Sequence, residues 1–163
     1  MAINGNNDEK TVPLILIVDD TRVNLQLLGK ILMKVNYELA IANSGYEALD
    51  MVKEVKPDLI LLDVMMPGID GYDVCKALKS STDTKDIPVI FLTAKSEKED
   101  IVTGFDVGAV DYVTKPFNSA ELLARVKTHL ELKYARDLLA KQNEKLKQLN
   151  DLKNEFLGMA AHD

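Results

Sequence analysis

Four apolar runs in this chain each lead straight into charged or hydroxyl side chains: LILIV into Asp19 and Asp20, LILL into Asp63, VIFL into Thr93, and VDYVT into Lys115. Three of them, at residues 14–18, 59–62 and 89–92, are continuous apolar stretches, the pattern of strands buried on both faces of a parallel sheet. Residues just past the carboxyl ends of parallel strands gather on one edge, where open α/β sheets place their sites. Three carboxylates, a hydroxyl and an ammonium should converge there.

The rest of the pattern completes an alternation of strands and helices. The runs at 37–41 and 110–113 are interrupted by Glu38 and Asp111, which suits edge strands. Val23, Leu27, Ile31 and Val35 recur at every fourth residue, and Ala48, Met51, Val52 and Val55 follow the i, i+3, i+4, i+7 spacing of an amphipathic helix. Ser44 with Glu47, Ser96 with Glu99, and Asn118 with Glu121 mark helix starts. Pro57, Pro67, Pro88 and Pro116 fall in the connections. The sum is a doubly wound, flavodoxin-like (βα)₅ fold of the α/β class. Its expected strand order, 2-1-3-4-5, leaves the second and fifth strands outside.

Composition narrows the partners. The formal charge of −6 resides entirely in residues 1–128, the remainder being balanced. That argues against a nucleic-acid surface, which needs clustered Lys and Arg. Cys75 is the only cysteine, so no disulfide framework exists and a reducing compartment is expected; its predicted place is a small core position. No apolar run approaches the roughly 20 residues that span a bilayer. Residues 1–12 form a polar, flexible leader without the apolar centre of a signal peptide. These features predict a cytoplasmic protein that contacts neither membrane nor nucleic acid.

From Ser119 onward there is no proline and Gly158 is the only glycine. A continuous helix there would run about 67 Å, too long for a domain of about 120 residues to cover. Leu132, Ala135, Leu139, Leu146 and Leu149 fit a heptad, with Gln142 at an intervening position. Leu149, Leu152, Phe156 and Met159 fit another in shifted phase, a stammer-like change near Leu149. We therefore expect a domain at 13–129 and a helix at 130–163 that forms a homodimeric coiled coil.

Asp19, Asp20 and Asp63 are expected close together. Two carboxylates at about 4 Å repel by roughly 4 kcal/mol at an effective dielectric of 20, so the set should hold a proton or a cation. Oxygen-only ligands with open positions favour Mg²⁺. One carboxylate is then available as a nucleophile toward a phosphoryl group, with Lys115 as a second positive charge and the Thr93 hydroxyl as a hydrogen-bond partner.

The acidic pair in VDD, the strand-end Asp of LLDVMMPGIDG, the Thr of FLTA and the Lys-Pro of DYVTKPF resemble the receiver domain of two-component response regulators across residues 13–129. The resemblance implies that Asp63 accepts a phosphoryl group from a phosphohistidine. It also implies that Asp19, Asp20, Asp63 and the Met65 backbone carbonyl hold Mg²⁺, and that Thr93 and Lys115 bind the phosphoryl oxygens. It further implies a cis Lys115–Pro116 bond, a switch in which Thr93 and Tyr112 move together, and tuning of the phosphoryl lifetime by Met65 and Lys95. His129 has no motif around it and is expected at a surface or boundary.

The end of the chain, LKNEFLGMAAHD, resembles the start of the H-box of sensor histidine kinases. His162 would there be a second phosphoacceptor and Asp163 the acid beside it. The implied whole is a receiver preceding a histidine kinase core that continues beyond Asp163. Two alternatives remain: a stand-alone receiver with a coiled-coil output, and a Mg²⁺-dependent aspartyl phosphatase. The phosphatase reading is disfavoured because Met65 stands where a second acidic residue is needed.

Overall fold

A computed structural model describes residues 12–94 and 98–161, without the side chains of 98–100 and 159–161. Lys95, Ser96, the Glu99 side chain, the Met159 side chain, His162 and Asp163 therefore lie outside the described residues. Five strands, β1 (Leu14–Val18), β2 (Glu38–Ala42), β3 (Leu59–Asp63), β4 (Val89–Thr93) and β5 (Asp111–Thr114), alternate with five helices. The helices are α1 (Arg22–Met33), α2 (Gly45–Val55), α3 (Gly71–Ser80), α4 (Lys98–Asp106) and α5 (Ser119–Ala161). All strand pairs are parallel, and the order is β2-β1-β3-β4-β5. This is the doubly wound, flavodoxin-like topology read from the sequence.

Strand alternation divides the core into two layers. Leu16, Val18, Ile60, Leu62, Val89 and Phe91 point to α2 and α3, meeting Ala48, Val52, Val74, Cys75 and Leu78. Ile15, Ile17, Leu59, Leu61, Ile90 and Leu92 point to α1 and α5, meeting Leu28, Ile31, Leu32, Leu122, Val126 and Leu130. Each fully buried Leu or Ile contributes about 1.5–3 kcal/mol, and the three central strands carry most of them. Cys75 sits in this core as expected, its thiol donating to the Val107 carbonyl at 3.4 Å.

Two details differ from expectation. Strands β2 and β5 start one residue later than the apolar pattern, at Glu38 and Asp111. Tyr37 and Val110 pack beside the α1/α5 layer, and Val110 N also donates to the Val89 carbonyl at 2.9 Å just ahead of the strand. Only Ile31 of the every-fourth stripe is buried: Val23 and Leu27 on α1 are 70% and 42% exposed and Val35, just past it, is 41% exposed, while Leu28 and Leu32 complete the buried face. Four residues turn a helix by about 400°, so an every-fourth row drifts some 40° per step: Val23 and Leu27 fall short of the buried face, Ile31 reaches it, and Val35 lies past the end of α1 at Met33.

Local chemistry fixes the helix starts. The Ser44 hydroxyl accepts from Glu47 N at 3.1 Å, and the Asn118 side chain accepts from Glu121 N at 3.1 Å, which caps α2 and α5. Helix α5 is one element of 43 residues, about 64 Å long. Among the described residues Leu130 is its last buried one, and Leu132, Leu139, Leu146, Leu149, Leu152 and Phe156 are all more than half exposed.

Candidate functional site

The carboxyl ends of β1, β3, β4 and β5 bring the expected residues together. Asp19 follows β1 and is fully buried, Asp63 ends β3 and is 4% exposed, and Asp20 is exposed beside them. One carboxylate oxygen from each of the three lies within 4.8 Å of the others. Lys115, just past β5, reaches back between two of them: its Nζ is 3.1 Å from Asp63 Oδ1 and 3.4 Å from Asp19 Oδ2. The Lys115–Pro116 peptide is cis, and Lys115 N donates to the Thr93 carbonyl at 2.7 Å, binding the ends of β5 and β4 together.

Asp19 is held by neighbours that the sequence did not single out. Its Oδ1 accepts from Thr21 N at 2.8 Å, and its Oδ2 accepts from Asn24 Nδ2 at 3.2 Å. Asp63 Oδ1 also accepts from Met65 N at 3.4 Å. Burial, and then the Asp19 charge, push the Asp63 carboxyl up to about 6 against the opposing pull of Lys115. Asp63 is thus a carboxylate held at a cost, which a further cation would relieve. Ligand oxygens on an octahedral Mg²⁺ at about 2.1 Å lie at most about 4.2 Å apart. Adjacent ones lie only about 3.0 Å apart, so oxygens now within 4.8 Å of one another would close by up to about 2 Å or reach the ion through a water, which Mg²⁺ readily keeps, and on that basis this donor set fits Mg²⁺.

Glycine at position 71 allows this edge to close. A Cβ there would run into the Asp63 carbonyl oxygen and lie 2.9 Å from Val64 Cα, and Gly71 N donates to the Val64 carbonyl at 2.9 Å. Backbone cannot swing aside as a side chain does. Gly71→Ala should therefore destabilise the fold by about 3 kcal/mol, a loss to be read from urea unfolding. Within the LLDVMMPGIDG motif, alternation and capping gave no signal for this role.

Thr93 and Tyr112 lie on adjacent strands and both line a small cavity with Val64, Phe91, Gly104 and Phe105. Its volume is about 10 Å³, room for about one water molecule. The Tyr112 ring meets Phe105 edge-on at 6.2 Å, with the Arg125 guanidinium 5.9 Å from its centre. Met65 is 77% exposed at the rim.

A second cluster adjoins this one. Arg125 Nη1 donates to Asp111 Oδ1 at 2.6 Å and Arg125 Nε to Glu121 Oε1 at 3.2 Å, while His129 Nε2 lies 2.9 Å from Asp111 Oδ2. His129, expected at a boundary, is thereby a partner that ties α5 to the start of β5. Burial alone would raise the Asp111 carboxyl; the bonds from Arg125 and His129 outweigh it and hold it below the usual range. A depressed carboxyl stabilises above its unfolded value and loses that contribution as pH falls through the folded one. Asp111→Asn should thus cost about 1 kcal/mol at pH 7, after allowing for solvent screening of the half-open Arg125. The difference from wild type should shrink in acid as pH falls below the ordinary carboxylate range toward the lowered folded value.

The response regulator receiver domain family matches residues 15–127, and the chain belongs to that family. A probable cyclic di-GMP phosphodiesterase of Vibrio cholerae is 45% identical over 132 residues, 81% of this chain and 30% of that protein. The DNA-binding response regulator MtrA of Mycolicibacterium paratuberculosis is 41% identical over 116 residues, 71% of this chain and 50% of that protein. The chain thus spans at most half the length of these two relatives. Among solved structures, the signal receiver domain of a signal transduction histidine kinase from Syntrophus aciditrophicus superposes with a TM-score of 0.69 at 38% identity, covering 74% of this chain and 91% of that one. No helix among the described residues is long and apolar enough to cross a membrane.

Proposed function

We propose that this chain is a phosphorelay module that takes a phosphoryl group on Asp63 from a phosphohistidine, in a Mg²⁺-dependent step in the cytoplasm. The observation that carries the reading is the Lys115 ammonium held 3.1 Å from Asp63 and 3.4 Å from Asp19 at the sheet edge. An Asp63 carboxylate oxygen forms the new bond to phosphorus as the phosphorus–nitrogen bond of the donor breaks. The electron pair stays on the departing imidazole, which takes up a proton. Asp19, Asp20, Asp63 and the Met65 carbonyl would hold Mg²⁺, which supplies positive charge against the transferring oxygens. Lys115 supplies a second charge from the protein itself, and the Thr93 hydroxyl bonds a phosphoryl oxygen.

The response follows from the same edge. Thr93 drawn toward the phosphoryl group vacates space beside the cavity it shares with Tyr112, and the aromatic ring turns inward. Because Arg125 lies against that ring and belongs to α5, the change passes into the long helix. That helix pairs with a second copy and leads to a histidine kinase core, with His162 as a second phosphoacceptor.

The test is intact mass after incubation with Mg²⁺ and a small phosphodonor, for wild type and Asp63→Asn. A gain of one phosphoryl group that requires both Mg²⁺ and Asp63 is expected. No gain under any condition, or an equal gain in both proteins, would overturn the assignment. A second reading keeps the receiver and changes the output. The Vibrio match extends over 132 residues, beyond the length of the family match, which favours a receiver-plus-helix unit able to serve other effector domains. Assaying the full-length gene product for ATP-dependent autophosphorylation and for cyclic di-GMP hydrolysis separates the two.

A further inference from the structure

The part of α5 that leaves the domain carries a seam of its own. Leu132, Leu139 and Leu146 occupy one core row and Ala135, Gln142 and Leu149 the other. The leucines of this seam are 51–63% exposed. Leu122, Val126 and Leu130, which anchor α5 in the domain, lie on roughly the opposite side of the helix at 100° per residue. Lys133 is also turned away from the seam. Its ammonium is 3.1 Å from Asp137 on the helix and 3.7 Å from Asp58 of the domain. The domain therefore grips the outer face and leaves the seam open to a partner.

Resting on the dimer reading above, we propose that the occupant is a second copy of this chain aligned parallel and in register, with Gln142 as the residue that sets that alignment. In this arrangement each Gln142 faces its counterpart, and each amide N–H donates to the other's carbonyl. Glu131 and Arg136, five residues apart, flank the seam at the positions that meet across a parallel pair, where their charges attract. An antiparallel pair centred on the stripe of residues 132–159 sets Gln142 against Leu149 and buries both amides without partners. The polar layer is thus tolerated in one alignment and penalised in the other.

The full chain tests this directly. Sedimentation should give a single dimeric species. Ala135→Cys and Gln142→Cys, made separately, should each form an interchain disulfide under mild oxidation, and Glu144→Cys on the outer face should not. Cys75 is buried in the core and cannot contribute. Only parallel, in-register pairing brings both positions 135 and 142 to their own counterparts. Gln142→Leu should tighten the dimer by about tenfold or more and admit larger assemblies. A monomeric wild type defeats the dimer reading itself. A dimer in which one or neither cysteine variant cross-links, or in which Gln142→Leu changes neither affinity nor stoichiometry, overturns the alignment while leaving the dimer intact.

Discussion

Asp63→Asn should make the metal-free protein more stable at pH 7.5, by about 1–3 kcal/mol. The reason is the raised carboxyl, about 6 in the fold against 3.8 for the free group. Between those values the native state binds more protons than the unfolded chain, so stability falls as pH rises through that window. The asparagine variant carries no such charge. Its advantage should be absent at pH 3.5, grow through pH 4–6, and level off above pH 7. Thermal unfolding across pH with a chelator present measures this. Adding Mg²⁺ should reverse the order: at 100 times the dissociation constant a ligand adds about 2.7 kcal/mol to the state that binds it, and wild type has the fuller donor set. A variant less stable than wild type in chelator at pH 7.5 would show that the Lys115 contacts outweigh the burial of Asp63.

Ending the chain after Asp137 should convert the dimer to a monomer without disturbing the domain. That cut keeps Leu130, the last buried of the described residues of α5, and the Lys133 contacts to Asp58 and Asp137. It removes Leu139, Leu146, Leu149, Leu152 and Phe156, each more than half exposed. Burial of a leucine contributes about 1.5–3 kcal/mol, so losing five such contacts per chain should shift the dissociation constant by many orders of magnitude. Sedimentation equilibrium reads the change, and unaltered phosphoryl acceptance in the mass assay shows that the domain survived. A truncated chain that stays dimeric would move the interface to the body of the receiver.

The strands and the carboxylate-lined edge were legible because both depend on local pattern. A strand buried on two faces must be apolar throughout, and a residue one step past it must lie at the edge; Asp19, Asp63, Thr93 and Lys115 follow from those two facts. Contacts that cross between elements leave no such trace. Asn24 reaches Asp19 from the first turns of α1, and Asp111 meets Arg125 and His129 fourteen and eighteen residues away. Only the four-residue spacing of Arg125 and His129, which puts them on one face of α5, hinted at a shared partner. The stripe on α1 misled for a geometric reason, since equal spacing in sequence is not equal bearing on a helix. Gly71 was invisible because what it supplies is the absence of a side chain.

Helix α5 has no break between the contacts at Asp111 and its last turn. An unbroken rod of about 64 Å is a lever. The part beyond Leu130, where the helix leaves the domain, runs about 46 Å to Ala161, so a tilt of about 5° there displaces the far end by about 4 Å. A shift at Arg125 too small to disturb the packing of Val126 or Leu130 is therefore magnified with distance, and the output end moves farthest. When two such rods are clamped side by side, neither can swing freely. Equal tilts at their bases must then emerge as a twist of one helix about the other.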